Sequence, residues 1–286
     1  MSMERVISVE EVRGALARPR LEGRTIGLVP TMGALHAGHL SLVRASRERC
    51  DLTVVSIFVN PTQFGPNEDF DAYPRDLEAD ATLLAAEGVD LLFQPTVAVM
   101  YPPGAVTRVD PGPLQDILCG ASRPGHFTGV ATVVTKLLNI VRPNVAFLGE
   151  KDYQQLKVIE QVARDLDIPT HIVGCPIVRE RDGLALSSRN RYLSAADRSH
   201  ALVLSRSLAH VREAAAAGQT DGERLAAMLA DEVAAEPGVE LDYADVVDAE
   251  TLAGVTVLQR AGRALVAARV GGARLIDNVA VEPPGA

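Results

Sequence analysis

The sequence predicts an α/β fold in which a parallel sheet covered by helices is followed by a smaller α+β part. Short apolar runs alternate with helical patterns through residues 25–175, as expected when crossover helices join parallel strands. The run at 52–59 (LTVVSIFV) is almost continuously apolar, which is typical of a strand covered on both faces. The run at 25–29 (TIGLV) leads into Gly-containing turn residues and a helical pattern. Rossmann-like nucleotide-binding sheets present their ligands in this way.

The spacing of apolar residues sets the individual elements of this first part. Gly and Pro residues mark where most of them end. The expected helices are at 9–16, 40–49, 73–87, 130–141 and 155–166, and the expected strands are at 25–29, 52–59, 88–93, 106–109, 145–148 and 170–175.

Beyond Arg191 the pattern changes to two Ala/Leu-rich helices and short strands. Ser194 followed by Asp197 is typical of a capped helix start. The expected helices run from there to about 217 and over 221–235, and the expected strands are at 241–247, 263–270 and 274–279. Because single cores tend to stop growing beyond ~250–300 residues, we expect two domains, with boundaries at 1–177 and 178–286.

The composition argues against several classes of protein. The formal net charge of −9 disfavours a large nucleic-acid interface. Three widely spaced cysteines indicate neither a disulfide framework nor a zinc site. No apolar run approaches the ~20 residues of a membrane span, and the first residues lack the apolar segment of a signal peptide. We therefore expect a cytoplasmic protein that has neither nucleic acid nor a membrane as its partner.

Two histidines, His36 and His39, stand where the first strand gives way to a helix. Their spacing puts both imidazoles on one face of a helical turn, and Ala37 and Gly38 leave room for a ligand. A helix amino terminus offers unpaired N–H groups and positive potential to a phosphate. Nucleotide contact is one interpretation, and a zinc-binding pair or a chance pair of solvated histidines are the others.

Polar residues also follow the next strand and precede a later helix. Asn60 and Gln63 come after the run at 52–59, at the sheet edge where the histidines are expected. Their amides suit a substrate with hydroxyls and a carboxylate, although an Asn-Pro turn with a surface Gln is the alternative. Arg123 and His126 could face phosphate at the start of a helix, or could be a solvated loop pair.

Two more segments carry cations beside small or hydroxyl-bearing residues. Lys151 falls at a strand-to-helix junction, where an ammonium can neutralise phosphate oxygens and Gly149 lets the backbone come close. Asp152 could hold a ribose hydroxyl or a metal-bound water, and an ordinary charged helix start is the alternative. The segment at 186–190 (LSSRN) has hydroxyls and a guanidinium that could grip polyphosphate.

These motifs together resemble a known family. The string HAGH at 36–39 resembles the His-x-Gly-His signature of the adenylyl-transferring superfamily that includes class I aminoacyl-tRNA synthetases. VPTMG at 29–33, SIFVNPTQF at 56–64, FLGEKD at 147–152 and LSSRN at 186–190 resemble, in matching order, the pantothenate synthetase family. Leu186 and Thr62 stand where many members have Met. The volume at Leu186 is similar, and Asn60 and Gln63 are in place.

The resemblance implies an ATP-dependent ligase that joins pantoate to β-alanine through a pantoyl adenylate, releasing pyrophosphate and AMP. It implies His39, His36, Lys151 and Arg189 as catalytic residues, with His39 as a proton donor. It implies pantoate binding by Gln63 and Gln155, to which we add Asn60 and Arg123. The implied ATP-binding residues are Met32, Gly33, Ala34, Leu35, His36, Ala37, Gly38, His39, Gly149, Glu150, Lys151, Asp152, Val178, Leu186, Ser187, Ser188 and Arg189.

ATP polyphosphate chemistry further implies Mg²⁺ with few dedicated protein ligands, and the family implies a homodimer. Two alternatives remain at this stage. Another small-substrate adenylyl- or cytidylyltransferase would share the histidine motif, and a nonenzymatic regulator would bind ATP without exchanging pyrophosphate.

Overall fold

The computed structural model describes residues 3–66 and 68–284. The chain divides into two compact units. Unit 1 comprises Met1–Asp116, Arg123–Glu150 and Val158–Pro176, and unit 2 comprises Ile117–Ser122, Lys151–Lys157 and Ile177–Ala286. The sequence places residues 117–122 and 151–157 in the first domain, whereas the structure groups both segments with unit 2.

A parallel sheet forms the centre of unit 1, which confirms the predicted α/β class. Its strands, in the spatial order β1-β4-β3-β2-β5-β6, are β1 (Glu4–Val6), β2 (Ile26–Thr31), β3 (Leu52–Ile57), β4 (Leu91–Phe93), β5 (Val145–Gly149) and β6 (His171–Cys175). β2 pairs with β3 on one side and with β5 on the other, so the strand order reverses between β2 and β5. Ligands of open α/β sheets bind beyond the carboxyl ends of the strands at such a reversal.

The helices of this part of the chain follow the strands in alternation. They are α1 (Val9–Leu21), α2 (Ala37–Arg49), α3 (Leu77–Ala86), α4 (Val97–Met100), α5 (Cys119–Ser122), α6 (His126–Val141) and α7 (Tyr153–Asp165). α5 and the first residues of α7 belong to unit 2. β3 is buried along its whole length, as its continuous apolar run predicts. Phe93, Phe147 and Leu84 are among the fully buried side chains of unit 1.

Unit 2 is built on an antiparallel sheet with two long helices, which confirms the α+β expectation. Its elements are α8 (Ala195–Ala216), α9 (Gly222–Ala234), β7 (Val239–Asp248), β8 (Gly262–Val270) and β9 (Ala273–Val281). The sheet order is β7-β8-β9. α8 begins with the predicted capping box between Ser194 and Asp197. Leu204, Leu229 and Val266, each at most 1% exposed, lie in the apolar cluster of this unit.

Two expected elements differ from the structure, and one observed strand was not expected. Residues 106–109, all of them described, form no strand, because Val106 is 84% exposed and the Val109 N–H donates to the side chain of Thr132 rather than to a strand. The helix expected from 73 begins instead at Leu77, where the Asp76 side chain caps it, since Pro74 disfavours helical geometry at the residue before it. β1, which pairs with β4 at the sheet edge, was not predicted.

Within the residues that the structure describes, we find no helix long and apolar enough to cross a membrane.

Candidate active site

The loop between β2 and α2 has an unusual backbone that a buried carboxylate holds. Gly33 and Ala34 both adopt positive φ angles, of 85° and 52°. Asp80 on α3 is 3% exposed, and its two carboxylate oxygens accept hydrogen bonds from the N–H groups of Ala34 (2.9 Å) and Leu35 (2.8 Å). Because one carboxylate satisfies two successive N–H groups, it fixes the shape of the loop that leads to the histidines.

The two histidines at the start of α2 form a close pair with tilted rings. Their ring centroids are 4.1 Å apart. His36 is the N-cap residue, and its Nδ1 accepts from the N–H of Gly38 at 3.2 Å. The Nδ1 of His39 accepts from the N–H of His36 at 3.4 Å. A nitrogen that accepts a backbone N–H carries no proton, so these partners assign the proton of each neutral ring to Nε2. Both imidazoles are therefore arranged as hydrogen-bond donors through Nε2.

Asn60 and Gln63 lie together in the turn that follows β3. Asn60 is 1% exposed, and its amide donates to Gln63 Oε1 and to the carbonyl of Gly129, both at 3.1 Å. The hydroxyl of Tyr101 donates to Asn60 Oδ1 at 2.8 Å. Since Gln63 Oε1 already accepts from Asn60, its Nε2 group faces the other way and donates to the sulfur of Met32 at 3.2 Å. The structure thus brings Gln63 to the loop that precedes the histidines.

Arg123 and His126 are also joined to this turn. The Arg123 guanidinium pairs with both oxygens of Glu68, at 2.6 and 2.7 Å. His126 Nδ1 lies 2.8 Å from the carbonyl oxygen of Gln63, and its Nε2 lies 2.9 Å from Arg123 Nη1. Because a carbonyl only accepts, Nδ1 carries the proton and Nε2 accepts from Arg123.

The charge of Glu68 follows from the same contacts. Burial acts to raise the pKa of the Glu68 carboxyl, but the hydrogen bonds and charge of Arg123, helped by the Gly65 N–H, outweigh burial and lower that pKa. Glu68 is therefore ionised near neutral pH, and the ion pair with Arg123 holds the segment around Gln63.

In unit 2, Lys151 and Ser187 line the same pocket. Asn190 and Asp277 supply the other polar groups of its wall. The Lys151 ammonium lies 3.9 Å from a carboxylate oxygen of Asp152, and the side chain is 21% exposed. Lysine and serine both carry donors that suit phosphate oxygens. The structure therefore brings together two of the residues that the sequence separates by more than thirty positions.

The Ser-Ser-Arg segment is held by contacts on both sides. Ser187 caps a 3-10 turn at Ser188–Tyr192 by accepting from the N–H of Arg189. Asn190 donates to Glu180 (2.8 Å) and to the carbonyl of Ala185 (3.0 Å). The N–H of Leu186 donates to the carbonyl of Val178, which places these two predicted ATP contacts side by side.

Three further predicted residues lie close to Lys151 in the chain. Gln155 is partly exposed on α7, and Glu150 and Asp152 flank Lys151 in a 3-10 turn. Sequence reasoning missed Asp80 and Glu68, which hold the loops of unit 1. It also missed Asn278, whose amide donates to the Lys151 carbonyl. The sequence around Asp80 gives little indication of its role, because a single Asp in a helix is common. Asp277 and Asn278 interrupt the apolar pattern of β9, and this interruption could have indicated a role for Asn278.

Comparisons with known proteins agree with this geometry over nearly the whole chain. The family model for pantoate-beta-alanine ligase matches residues 4–280. The pantothenate synthetase of Acidobacterium capsulatum is 54% identical over 99% of this chain and 99% of its own length. The crystal structure of pantothenate synthetase from Thermus thermophilus has a TM-score of 0.93 and 49% identity, and the match covers 98% of this chain and 100% of that chain.

A third relative was solved with small molecules bound. The pantoate-beta-alanine ligase of Francisella tularensis, complexed with beta-gamma ATP and β-alanine, has a TM-score of 0.79 and 38% identity over 97% of both chains. The family that the sequence motifs resemble is thereby confirmed. The chain belongs to the pantoate–β-alanine ligase family.

Proposed function

We propose that this pantoate–β-alanine ligase works in two half-reactions with ATP as co-substrate. In the first, the pantoate carboxylate attacks the α-phosphorus of ATP, forming pantoyl adenylate and releasing pyrophosphate. In the second, the amine of β-alanine attacks the acyl carbon, and AMP leaves as pantothenate forms. Because both nucleophiles come from substrates, the protein has to supply alignment and compensation of negative charge.

The pair of imidazoles at the start of α2 is the observation that carries this proposal. His36 and His39 direct Nε2–H donors from a helix amino terminus, where backbone N–H groups and the helix dipole favour an anion. Both histidines donate to phosphate oxygens of ATP, and His39 stabilises the charge that develops as the carboxylate attacks. The backbone from Met32 to Leu35, held by Asp80, forms the wall of this phosphate site.

Pantoate binds through amides. Gln63 has its oxygen occupied by Asn60, so its Nε2 group donates to the oxygens of the substrate. Gln155 supplies a second amide. Asn60 and Arg123 contribute to the same site. Both form hydrogen bonds with Gln63, and these bonds hold Gln63 in place.

The residues of unit 2 serve the leaving group and the nucleoside. Lys151, Ser187, Ser188 and Arg189 stabilise charge on the departing pyrophosphate, which is the task of an ammonium, hydroxyls and a guanidinium. The backbone of Val178 contacts the adenine, and the backbone of Leu186 contacts ATP. Gly149, Glu150 and Asp152 complete the ATP site on either side of Lys151.

Magnesium is the further group that this chemistry implies. Among the described residues, no three His, Cys, Asp or Glu side chains are grouped as a metal site. An ion that accompanies ATP would be held mainly by phosphate oxygens and water. When bound with ATP, Mg²⁺ neutralises polyphosphate charge. Asp152, which is half exposed beside Lys151, is the residue that would contact a water of such an ion.

We also propose that the chain acts as a homodimer in the cytoplasm, as the resemblance implies. Sedimentation equilibrium with the purified chain tests the dimer, and a mass that stays at 30.4 kDa across micromolar concentrations would refute it.

One assay tests the reaction. Labelled pyrophosphate should enter ATP when pantoate is present, and AMP should appear when β-alanine is added. Exchange without pantoate, or AMP release without an amine acceptor, would indicate another adenylyl- or cytidylyltransferase. ATP binding with no exchange under any condition would indicate a regulator and would refute the ligase mechanism.

A further inference from the structure

A buried amide in the sheet of unit 2 contacts the main chain of Lys151. Asn278 on β9 is 2% exposed, and its Nδ2 group donates to the Lys151 carbonyl at 3.0 Å. Its Oδ1 accepts from Nε of Arg263 on β8 at 2.7 Å. Arg263 is itself only 8% exposed.

The direction of this amide is fixed by its partners. A guanidinium has donors and no acceptor, so Asn278 Oδ1 must face Arg263. The Nδ2 group is then left to face the Lys151 carbonyl, which can only accept. The orientation therefore follows from two independent partners and does not depend on how an amide was assigned.

Arg263 is in turn held against the residues that follow Lys151. Its guanidinium lies 4.1 Å from the centroid of the Tyr153 ring, a distance at which a cation and an aromatic face attract each other. The Tyr153 hydroxyl donates to the carbonyl of Ala249 at 2.8 Å. The sheet thus contacts the chain on both sides of Asp152, through Asn278 at Lys151 and through Arg263 at Tyr153.

This polar pair lies among buried apolar side chains of the two strands, beside the buried Asp277 carboxylate that pairs with Arg179. Ala264, Val266 and Val281 on the same two strands are fully buried. Apolar side chains of similar volume would pack a sheet at least as stably as a buried guanidinium and amide. Packing alone therefore gives no reason for this pair, whereas fixing the main chain of Lys151, which lines the same pocket as Ser187, does.

We propose that Asn278 is a positioning residue for Lys151. By anchoring the Lys151 carbonyl from the sheet, and with its own orientation set by Arg263, it holds the ammonium in the pocket that Ser187 shares. The proposal rests on the role given to Lys151 in the adenylation step. Asn278 itself contacts no substrate in this scheme.

Asn278→Asp tests the anchor with little change in shape. The aspartate keeps an oxygen for Arg263 but places an acceptor opposite the Lys151 carbonyl, so one contact is kept and the other becomes repulsive. We expect pantoate-dependent pyrophosphate exchange to fall about 10-fold or more, the scale on which a misplaced group affects the reaction. The second half-reaction, β-alanine with preformed pantoyl adenylate, should change less than about 3-fold because it does not involve polyphosphate.

A double-mutant cycle separates positioning from general stability. Lys151→Ala removes the ammonium but keeps the carbonyl, so in that background Asn278→Asp should cause no further loss of exchange. Asp248→Asn is the matched control, because it is the opposite substitution, from aspartate to asparagine. Asp248 is 6% exposed and lies on β7 of the same sheet. This substitution should lower the melting temperature without altering exchange. If Asn278→Asp does not fold, Asn278→Ala, which adds no charge, enters the same cycle.

The outcomes are distinct. Normal exchange in a folded Asn278 variant, or an additive loss in the Lys151→Ala background, overturns the positioning role and leaves the ligase mechanism intact. Equal losses in both half-reactions also overturn it, since they indicate a general structural defect. Normal exchange in Lys151→Ala alone would instead remove the role proposed for Lys151, and the positioning role with it.

Discussion

Replacing Gly129 with alanine should damage both the stability of unit 1 and the pantoate binding that we propose for Gln63. Gly129 lies in α6, against the turn that carries Gln63. A Cβ atom added at this residue would lie 2.3 Å from the carbonyl oxygen of Thr62 and 2.7 Å from the backbone nitrogen of Gln63. Both contacts are with main-chain atoms, which cannot rotate away. Either α6 or the turn must therefore move by more than half an ångström to bring the contact above 3.0 Å.

Opposing contributions decide the size of the effect. Overpacking of this kind costs about 1–3 kcal/mol, and strain on the hydrogen bond from Asn60 to the Gly129 carbonyl adds about 1 kcal/mol. Alanine is the better helix former by about 1 kcal/mol. The net loss of unfolding free energy is about 1–3 kcal/mol, which lowers the melting temperature by about 2–10 °C at this chain length.

Gly14→Ala provides the matched control. Gly14 is also helical, within α1, but nothing lies within 4 Å of its added Cβ. We expect it to raise the melting temperature by about 2–4 °C through helix propensity alone. Differential scanning calorimetry of both variants measures the contrast, and initial rates measure KM for pantoate, which should rise about 10-fold or more in Gly129→Ala because Gln63 is displaced. A Gly129→Ala protein as stable as Gly14→Ala, with normal KM for pantoate, would refute the reasoning.

Three further predictions concern the loops of unit 1. His39→Ala should lower pantoate-dependent pyrophosphate exchange by about 10²-fold, the scale for one preorganised donor, and near-normal exchange would contradict its role. Asp80→Asn should lower exchange about 10-fold, because its NH₂ group meets a backbone N–H and leaves a buried donor unsatisfied; an unchanged rate in a folded protein would count against the loop argument. Glu68→Gln should lose on the order of 1 kcal/mol of stability at neutral pH. Since the folded pKa of Glu68 is lowered, its contribution is present above the ordinary carboxyl pKa of ~4.3 and is lost as the pH falls through the folded value. Urea titrations across this range check it, and a difference from the unmodified chain that persists at lower pH would disprove the assignment to Glu68.

The sequence predicts most of the fold because periodicity and buried runs carry most of the information. The almost continuous apolar run of β3 indicated a strand covered on both faces, and the structure has one. β1 was missed because three residues give too short a pattern to distinguish from a loop, and it is defined only by its pairing with β4. The strand expected at 106–109 was wrong, because Val106 is exposed and no strand in the described part of the chain pairs with these residues. The division between residues 177 and 178 stays a prediction of domain boundaries.

The sequence indicates the candidate site residues but not the residues that hold them in place. His36, His39 and Lys151 could be singled out because they stand at strand-to-helix junctions and lie within the motifs that resemble the family. Their roles in catalysis stay predictions, as do those of Gln155 and Val178. What fixes these side chains was not predictable, because the partners are ordinary residues far away in the chain. Glu68 meets Arg123 across 55 positions, and no local pattern in either segment indicates that pairing.

Asp80 shows why such partners are nevertheless required. Gly tolerates a positive φ, but Ala34 at φ 52° is in a region that costs a non-glycine residue about 1–2 kcal/mol. This backbone turns the N–H groups of Ala34 and Leu35 inward, where both residues are buried and water cannot satisfy them. A buried acceptor with two oxygens, such as the Asp80 carboxylate at 2.9 and 2.8 Å, offsets both costs together. The loop therefore needs a buried acceptor for these two N–H groups. Its sequence does not indicate that α3 is the helix that provides this acceptor.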